Sequence, residues 1–147
     1  MNPELTMAKA DGIPKTLTLE VVTPTRMVVQ EEVDEVVAPG SEGYFGVLGG
    51  HLPFMSTLKI GELAYRKNGR WRYLAVSWGY VEVLPETVVV LADAAEKAEE
   101  IDVTRAERAR QRAMEQLARR EDETVDVARA EGALTKSLTR IEVAGKT

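Results

Sequence analysis

The periodicity of this chain changes once, near Ala92, and that change constrains the fold more than any other feature of the sequence. Before it, short runs of β-branched and aromatic residues are separated by turn signals, which is typical of β-strands. After it, the charged stretch 92–117 brings alanines to one side at helical spacing, and a second helical pattern follows. A sheet domain with so thin a helical appendage is typical of a part that engages something larger.

Turn and strand signals define the first part in more detail. Residues 17–22 alternate apolar and polar side chains and stop before Pro24, as a half-buried strand does. Asn68-Gly69 and Pro85-Glu86 each separate two such runs and predict hairpins. Short strands with frequent turns predict an antiparallel sandwich or barrel over residues 16–92.

Two helices with narrow apolar faces are predicted after the sheet. The residues at helical spacing are Ala106, Ala109, Ala113 and Leu117 in the first helix and Val127, Ala130, Leu134, Leu138 and Ile141 in the second. Asp102 or Thr104 can cap the first helix, and the acidic residues 121–123 form the turn and the start of the second. A short link between two helices predicts an antiparallel helical hairpin.

The predicted hairpin carries little apolar surface. Burying a Leu or Ile contributes roughly 1.5–3 kcal/mol, and an Ala methyl contributes much less. Surface ion pairs between its many charged residues add about 0–1 kcal/mol each. Two interpretations therefore stay open: a hairpin that detaches or rearranges at modest cost, and a stable surface hairpin.

The composition excludes several classes of function. The chain has no Cys and one His, which excludes thiolate chemistry and His-based metal clusters. A net charge of −5 argues against nucleic acid as a partner, and no apolar run is long enough to span a bilayer. The first 15 residues lack an apolar core, so we expect a loose tail and no signal peptide. None of the four serines lies in a nucleophile-elbow pattern, which disfavours a hydrolase.

The glycine-rich segment 40–53 suggests a phosphate loop but lacks its context. A phosphate loop needs Gly-Lys-Ser/Thr opening a helix, and here the glycines run into His51-Leu52-Pro53. Tight turns in a β domain are the favoured interpretation. His51 is then a turn residue that packs against the sheet or is exposed at a contact surface.

Basic residues recur in the helical part. Arg105 lies three residues after Asp102, and Lys136 and Arg140 share one helical face at i, i+4 spacing. A polyphosphate ligand held between two helices needs such cations, and a free carboxylate could accept a hydrogen bond from an amino group of the ligand. On spacing alone, capping and intrahelical ion pairs are the favoured explanation.

Several motifs together resemble the epsilon subunit of bacterial F-type ATP synthase. They are Gly-Ser-Glu-Gly-Tyr-Phe-Gly-Val-Leu-Gly-Gly-His-Leu-Pro at 40–53, Val-Ser-Trp-Gly-Tyr-Val-Glu-Val at 76–83 and Val-Leu-Ala-Asp at 90–93. The resemblance covers residues 16 to about 143 in order. It implies a mixed fold: an all-β N-terminal domain, a flattened antiparallel β-sandwich, followed by an α-helical C-terminus, an antiparallel two-helix hairpin. The expected divisions are a flexible tail at 1–15, the sandwich at 16–95 and the hairpin at 96–147.

The resemblance also implies a function. Members are non-catalytic rotor subunits that bind the gamma subunit of the central stalk and the membrane rotor (c) ring. They couple proton flow to ATP synthesis at the cytoplasmic face of the bacterial inner membrane, as peripheral proteins. Their hairpin extends to the alpha and beta subunits of the catalytic head and inhibits ATP hydrolysis; no cofactor is required. The alternative is a free-standing small-ligand β-barrel module with a helical dimerisation arm.

Two sets of site residues follow from the resemblance. By position, Glu42, Tyr44 and His51 are candidates for contact with the rotor ring. Some members bind ATP as a regulatory ligand through Ile/Leu-Asp-x-x-Arg-Ala, which is complete here at 101–106. The matching nucleotide-binding candidates are Glu96, Asp102, Arg105, Arg112, Lys136 and Arg140. Lys136 stands where nucleotide-binding members carry Arg, and a Lys cannot give bidentate phosphate contacts, so weak ATP binding is expected.

Overall fold

The computed structural model describes residues 14–147, which form a β-sandwich followed by two helices. The strands are β1 Leu17–Val22, β2 Met27–Val33, β3 Glu35–Gly40, β4 Gly43–Leu48, β5 Phe54–Leu58, β6 Gly61–Lys67, β7 Arg70–Val83 and β8 Thr87–Lys97. A 3₁₀ turn, Ala98–Glu100, leads to helix α1, Val103–Ala118, and helix α2, Val127–Ala144. The predicted fold class is confirmed. The predicted tail lies outside the described residues, apart from residues 14 and 15.

The strands are ordered β2-β1-β8-β7-β5-β3-β4, and β6 pairs with both β3 and β7. All pairs are antiparallel except β1 with β8, which is parallel. Strand β7 changes partner midway, from β6 to β5, at Trp78 and Gly79, whose φ angles are 50° and 132°. A Cβ on Gly79 would lie 1.8 Å from the carbonyl oxygen of Leu91, so only glycine fits this crossing.

Aliphatic side chains from alternating strand positions fill the sandwich. Leu17, Leu19, Leu63 and Leu74 are among the largest fully buried side chains, and valines fill most of the remaining space. Phe45 and Phe54 pack edge to face beside this core with ring centroids 5.0 Å apart. Every buried member of this core lies between residues 17 and 95. The sandwich therefore buries its main apolar core without using a helical residue.

Strand β8 extends further than the sequence predicts. Residues 92–97, which begin the charged stretch with helical spacing, pair with residues 74–79 of β7. Ala92 and Ala95 point into the core and are buried. Alanine favours helices, but the pairing partner and the buried face override that preference here. The helical part begins after the 3₁₀ turn, with Asp102 rather than Thr104 as the N-cap of α1.

The two helices form the predicted antiparallel hairpin with different details. The link is longer than expected, because α2 begins at Val127 and the acidic residues 121–123 lie before it. Asp122 holds this link by accepting hydrogen bonds from the backbone N–H and hydroxyl of Thr124. The buried residues of the two helices are Ala106, Ala113, Ala130, Ser137 and Val143.

The predicted apolar stripe of α2 is wrong at Leu138, whose residue is 46% exposed. The stripe assumed that α2 buries one face against one neighbour. In the structure α2 contacts α1 and also β7, β6 and the 3₁₀ turn, whereas α1 packs chiefly on α2. Because α2 packs against both α1 and the sandwich, Ser137 and Val143 are buried and Leu138 is not.

Candidate functional site

A cavity lies where the hairpin meets the sandwich, and we call it the proximal cavity. It has a volume of about 340 Å³. Its walls are Ile60, Ala75, Val76, Ser77, Ala94 and Glu96 of the sandwich and Arg105, Ala109, Ala133, Lys136, Ser137, Thr139 and Arg140 of the helices. Four of the six predicted nucleotide-binding residues, Glu96, Arg105, Lys136 and Arg140, are therefore brought together.

One charge pair crosses this cavity. The Nε of Arg140 lies 2.8 Å from Oε1 of Glu96, and a terminal nitrogen of Arg140 donates to Oε2 at 3.1 Å. The pair joins α2 to β8 through one hydrogen bond, which the terminal nitrogen of Arg140 donates. Within residues 14–147, Arg105 and Lys136 form no ion pair with a carboxylate. The cavity thus holds one neutralised cation and two whose charge is available to an anion.

The other two predicted residues, Asp102 and Arg112, do not line the proximal cavity. Asp102 caps α1: its Oδ1 accepts the backbone N–H of Arg105 at 3.1 Å. Arg112 lines a second opening between the helices, nearer their link, which we call the distal cleft. The two openings share Ala109 and Ala133 as walls.

The C-terminal end of α2 packs against the sandwich through an apolar cluster and an ion pair. Val143 packs in a small cluster with Ala75, Ala98 and Ile101. The ammonium of Lys146 lies 2.6 Å from Oε1 of Glu62 and 5.0 Å from the ring centroid of Tyr73. The hydrogen bond to Glu62 raises the pKa of Lys146 above its usual value.

The three predicted ring-contact residues lie along the edge strand β4 and do not form one cluster. Glu42 is exposed just before β4, and His51 follows its end, with the ring nitrogen Nδ1 2.8 Å from the carbonyl oxygen of Leu52. Tyr44 is 55% exposed, and its hydroxyl accepts the backbone N–H of Glu62 at 3.2 Å. A strand of this length separates its ends by about 17 Å.

Exposed apolar side chains in the segment 44–55 were not predicted from the sequence. Leu48, Leu52 and Met55 are 55%, 79% and 66% exposed, and Tyr44 lies on the same strand as Leu48. We call Tyr44, Leu48, Leu52 and Met55 the edge strip. The sequence did contain a signal for these exposed side chains. Large apolar residues recur there in a segment rich in turns, and side chains in turns are less often buried.

The family models divide this chain as the structure does. The model for the β-sandwich domain of the ATP synthase delta/epsilon chain matches residues 16–98, and the model for its long α-helix domain matches residues 99–145. The chain belongs to the ATP synthase delta/epsilon chain family. The boundary between the two models follows the end of β8 rather than the change of period near Ala92.

Relatives of this family confirm the resemblance seen in the sequence. The ATP synthase epsilon chain of Syntrophobacter fumaroxidans is 53% identical over 129 residues, which is 88% of this chain and 96% of that one. The ATP synthase epsilon chain of Nitratidesulfovibrio vulgaris is 50% identical over 131 residues, 89% of this chain and 97% of that one.

Solved structures of ATP synthases contain chains with this fold. A chain in the cryo-EM structure of the Euglena gracilis mitochondrial ATP synthase, OSCP/F1/c-ring, matches with a TM-score of 0.76 and 25% identity over 92% of this chain and 84% of that one. A chain of the Tetrahymena thermophila mitochondrial ATP synthase central stalk/c-ring matches at a TM-score of 0.54 and 12% identity, covering 90% and 96%. Over residues 14–147, no helix is long and apolar enough to cross a membrane, and no cluster of His, Asp and Glu is arranged to hold a metal ion.

Proposed function

We propose that this chain is a non-catalytic rotor subunit of a proton-translocating F-type ATP synthase. In this proposal the sandwich binds the gamma subunit and the membrane c ring, at the cytoplasmic face of the bacterial inner membrane, and turns with them. The hairpin is the regulatory part: undocked, it extends to the alpha and beta subunits and inhibits ATP hydrolysis. Family membership and the solved ATP synthase assemblies that contain similar chains support this assignment.

The observation that carries the regulatory part is the contrast between core and docking. The sandwich core is complete between residues 17 and 95, so undocking the hairpin leaves it intact. The hairpin is held by the Val143 cluster, the Glu96–Arg140 pair and the Glu62–Lys146 pair. A switch needs two states separated by only a few kcal/mol, and so small an attachment is of that order.

The edge strip supports the proposed contact with the c ring. Two of its side chains, Tyr44 and Leu48, lie on β4, whose outer edge has no partner within the described residues, and Leu52 directly follows His51 in the chain. Leu52→Asp should weaken binding of the chain to a gamma-containing head on its c ring and leave the isolated chain folded. Unchanged retention on ring-bound head would remove the edge strip from this proposal.

ATP is the regulatory ligand that we propose for the proximal cavity. Arg105 and Lys136 supply charge for phosphates, and Glu96 supplies an acceptor for an amino group, but only by loosening its pair with Arg140. That competition, together with a Lys in place of a forked Arg, makes the expected binding weak. Bound ATP would bridge the helices and the sandwich, and so favour the docked hairpin.

Calorimetric titration of ATP into the full chain tests this site. We expect saturable binding that Arg105→Gln abolishes and that Arg108→Gln leaves unchanged, because Arg108 is exposed on α1 and lines neither opening. The absence of heat up to millimolar ATP would show that these charges serve the structure only.

Reconstitution tests the function itself. Full-length chain added to a cognate catalytic head that lacks it should bind through gamma and lower ATP hydrolysis. A chain ending at Glu100 retains the sandwich core and should bind without inhibiting. If the full chain neither bound the head nor inhibited hydrolysis, the proposal would be overturned. A tight homodimer by light scattering would instead favour a free-standing binding module with a dimerisation arm.

A further inference from the structure

The side chain of Tyr44 reaches from β4 across β3 to the start of β6. Tyr44 pairs with Pro39 of β3, and its hydroxyl accepts the backbone N–H of Glu62 at 3.2 Å. A Cβ on Gly61 would lie 2.8 Å from that hydroxyl oxygen and 2.8 Å from the Cβ of Pro39. The missing side chain of Gly61 therefore leaves the space in which the Tyr44 hydroxyl meets the backbone of β6.

The hydroxyl of Tyr44 takes the place of a strand partner for Glu62. Pairing between β3 and β6 ends at Ala64, and the same register continued by two residues would place Pro39 opposite Glu62. The carbonyl of Pro39 accepts the backbone N–H of Lys59 at 3.0 Å instead. Because a backbone N–H that is partly removed from water needs an acceptor, Tyr44 fixes the position of this part of β6.

The side chain of Glu62 in turn holds the end of the hairpin. The ammonium of Lys146 lies 2.6 Å from Oε1 of Glu62, an atom with almost no exposure to solvent. The energy of an ion pair depends on the distance between its charges, so this attachment depends on where β6 places the carboxylate. Tyr44 belongs to the edge strip and is 55% exposed. A single residue, Glu62, thus connects the edge strip to the residue that follows α2.

We propose that Tyr44 is a positioning residue for the docked hairpin: by holding the backbone of Glu62, it places the carboxylate that binds Lys146. A partner that covers the exposed face of Tyr44 holds the ring on Gly61 and so favours the docked hairpin. By linkage, docking favours that partner to the same extent. Only the identity of the partner, the c ring, rests on the proposed function; the positioning of Glu62 is a property of the isolated chain.

Hydrogen exchange of the α2 amides in the full chain tests the positioning. Tyr44→Phe removes only the hydroxyl, and we expect exchange in the last turn of α2 to become about two- to fivefold faster, within the range of one neutral hydrogen bond. In a Lys146→Met background the same substitution should have no further effect, because the attachment is already lost. The matched control is Tyr80→Phe, which removes a hydroxyl from an exposed position of β7 paired with Thr57 and Leu91.

An NMR titration of the Lys146 side chain separates positioning from a general loosening of the sandwich. Glu62 contributes most to the raised pKa of Lys146, ahead of Glu142 and Tyr73. Tyr44→Phe should move this pKa towards the ordinary value of about 10.4, and Tyr80→Phe should leave it unchanged. An unmoved pKa, unchanged exchange, or equal acceleration in the Lys146→Met background would each overturn the proposal.

The same exchange measurement on the chain bound to a gamma-containing head on its c ring tests the coupling to a partner. Binding should slow exchange in the last turn of α2 in the wild type, and about twofold less in Tyr44→Phe. If the isolated chain shows the positioning but ring-bound head leaves α2 exchange unchanged, the c ring is not the partner that covers Tyr44. That result would count against the ring contact in the proposed function and leave the role of Tyr44 within the chain intact.

Discussion

The sandwich and the hairpin are built on different amounts of buried surface. The sandwich encloses leucines and valines that are almost fully buried, among them Leu17, Leu63 and Leu74. The buried residues of the hairpin are three alanines, a serine and one valine. Burying a Leu contributes roughly 1.5–3 kcal/mol, which is several times the contribution of an Ala methyl. The sandwich is therefore held by more hydrophobic free energy than the hairpin.

This difference teaches how one short chain combines a fixed part with a movable one. Regions with few buried apolar contacts open at lower free energy than the global unfolding transition. The hairpin uses close packing of small residues and polar fastenings, which align the helices without strong hydrophobic attachment. The sandwich, complete by itself, keeps its shape whether or not the hairpin is docked.

Truncating the sandwich core should have the largest effect. Leu74 is fully buried on β7, and Leu74→Ala should lower the free energy of unfolding by about 2–5 kcal/mol, through lost burial and the cavity left behind. Urea denaturation followed by tryptophan fluorescence measures this, since Trp71 and Trp78 lie on the same strand.

The matched control makes the same substitution in the hairpin. Leu138 on α2 is 46% exposed, so Leu138→Ala should change the free energy of unfolding by no more than about 0.5 kcal/mol. Comparable losses in the two variants would contradict the contrast between the regions.

Overpacking the hairpin should have the next largest effect and leave the sandwich unaffected. Ala113 is 1% exposed on the inner side of α1, so Ala113→Leu should force the helices apart at a cost of about 1–3 kcal/mol. We expect faster proteolysis within residues 103–144 and unchanged protection of the strands. Met114→Leu, at an exposed neighbour, serves as the control. Loss of sandwich signals in NMR spectra of Ala113→Leu would show that the two regions fold as one unit.

Most of the fold was predictable because local signals agreed with the tertiary structure. The hairpin turns at Asn68-Gly69 and Pro85-Glu86 and the cap at Asp102 are written in a few adjacent residues. Errors arose where a distant partner decides the conformation. Residues 92–97 are strand because β7 pairs with them, and Leu138 is exposed because α2 divides its faces between two neighbours.

The candidate site was predictable only in part for a similar reason. Matching the motif found Glu96, Arg105, Lys136 and Arg140, which the fold brings to one cavity. Spacing along one helix could not show that Arg112 turns to a separate opening, or that Arg129 meets it from the other helix. Distances between elements depend on how the helices pack, and periodicity carries no information about that.

A polar fastening within the sandwich should have a smaller effect than either packing change. The hydroxyl of Tyr65 on β6 donates to Glu31 on β2 at 2.8 Å, and Lys67 donates to the same carboxylate at 3.2 Å. Tyr65→Phe should therefore cost about 1 kcal/mol of unfolding free energy at neutral pH.

The same fastening predicts a pH dependence. The hydrogen bond from Tyr65, supported by Lys67, lowers the pKa of Glu31. A lowered pKa stabilises the fold above the unfolded value of about 4.3, and this contribution is lost as the pH falls through the folded value. The difference between the wild type and Tyr65→Phe in urea denaturation should thus shrink as the pH drops from 6 to about 3. A constant difference over that range would assign the effect of Tyr65→Phe to packing.

The fastening of the hairpin by Lys146 should have the smallest effect and the opposite pH dependence. Lys146→Met removes the ion pair with Glu62 and the contact with the Tyr73 ring, which together should contribute about 0.2–1 kcal/mol to docking. Because the hydrogen bond to Glu62 raises the pKa of Lys146, its contribution is complete below the unfolded value of about 10.4 and is lost as the pH rises through the raised one. Hydrogen exchange of α2 amides in a double-mutant cycle with Glu62→Gln isolates the pair at neutral pH. A coupling of zero would leave the Val143 cluster and the Glu96–Arg140 pair as the attachments that a switch has to break.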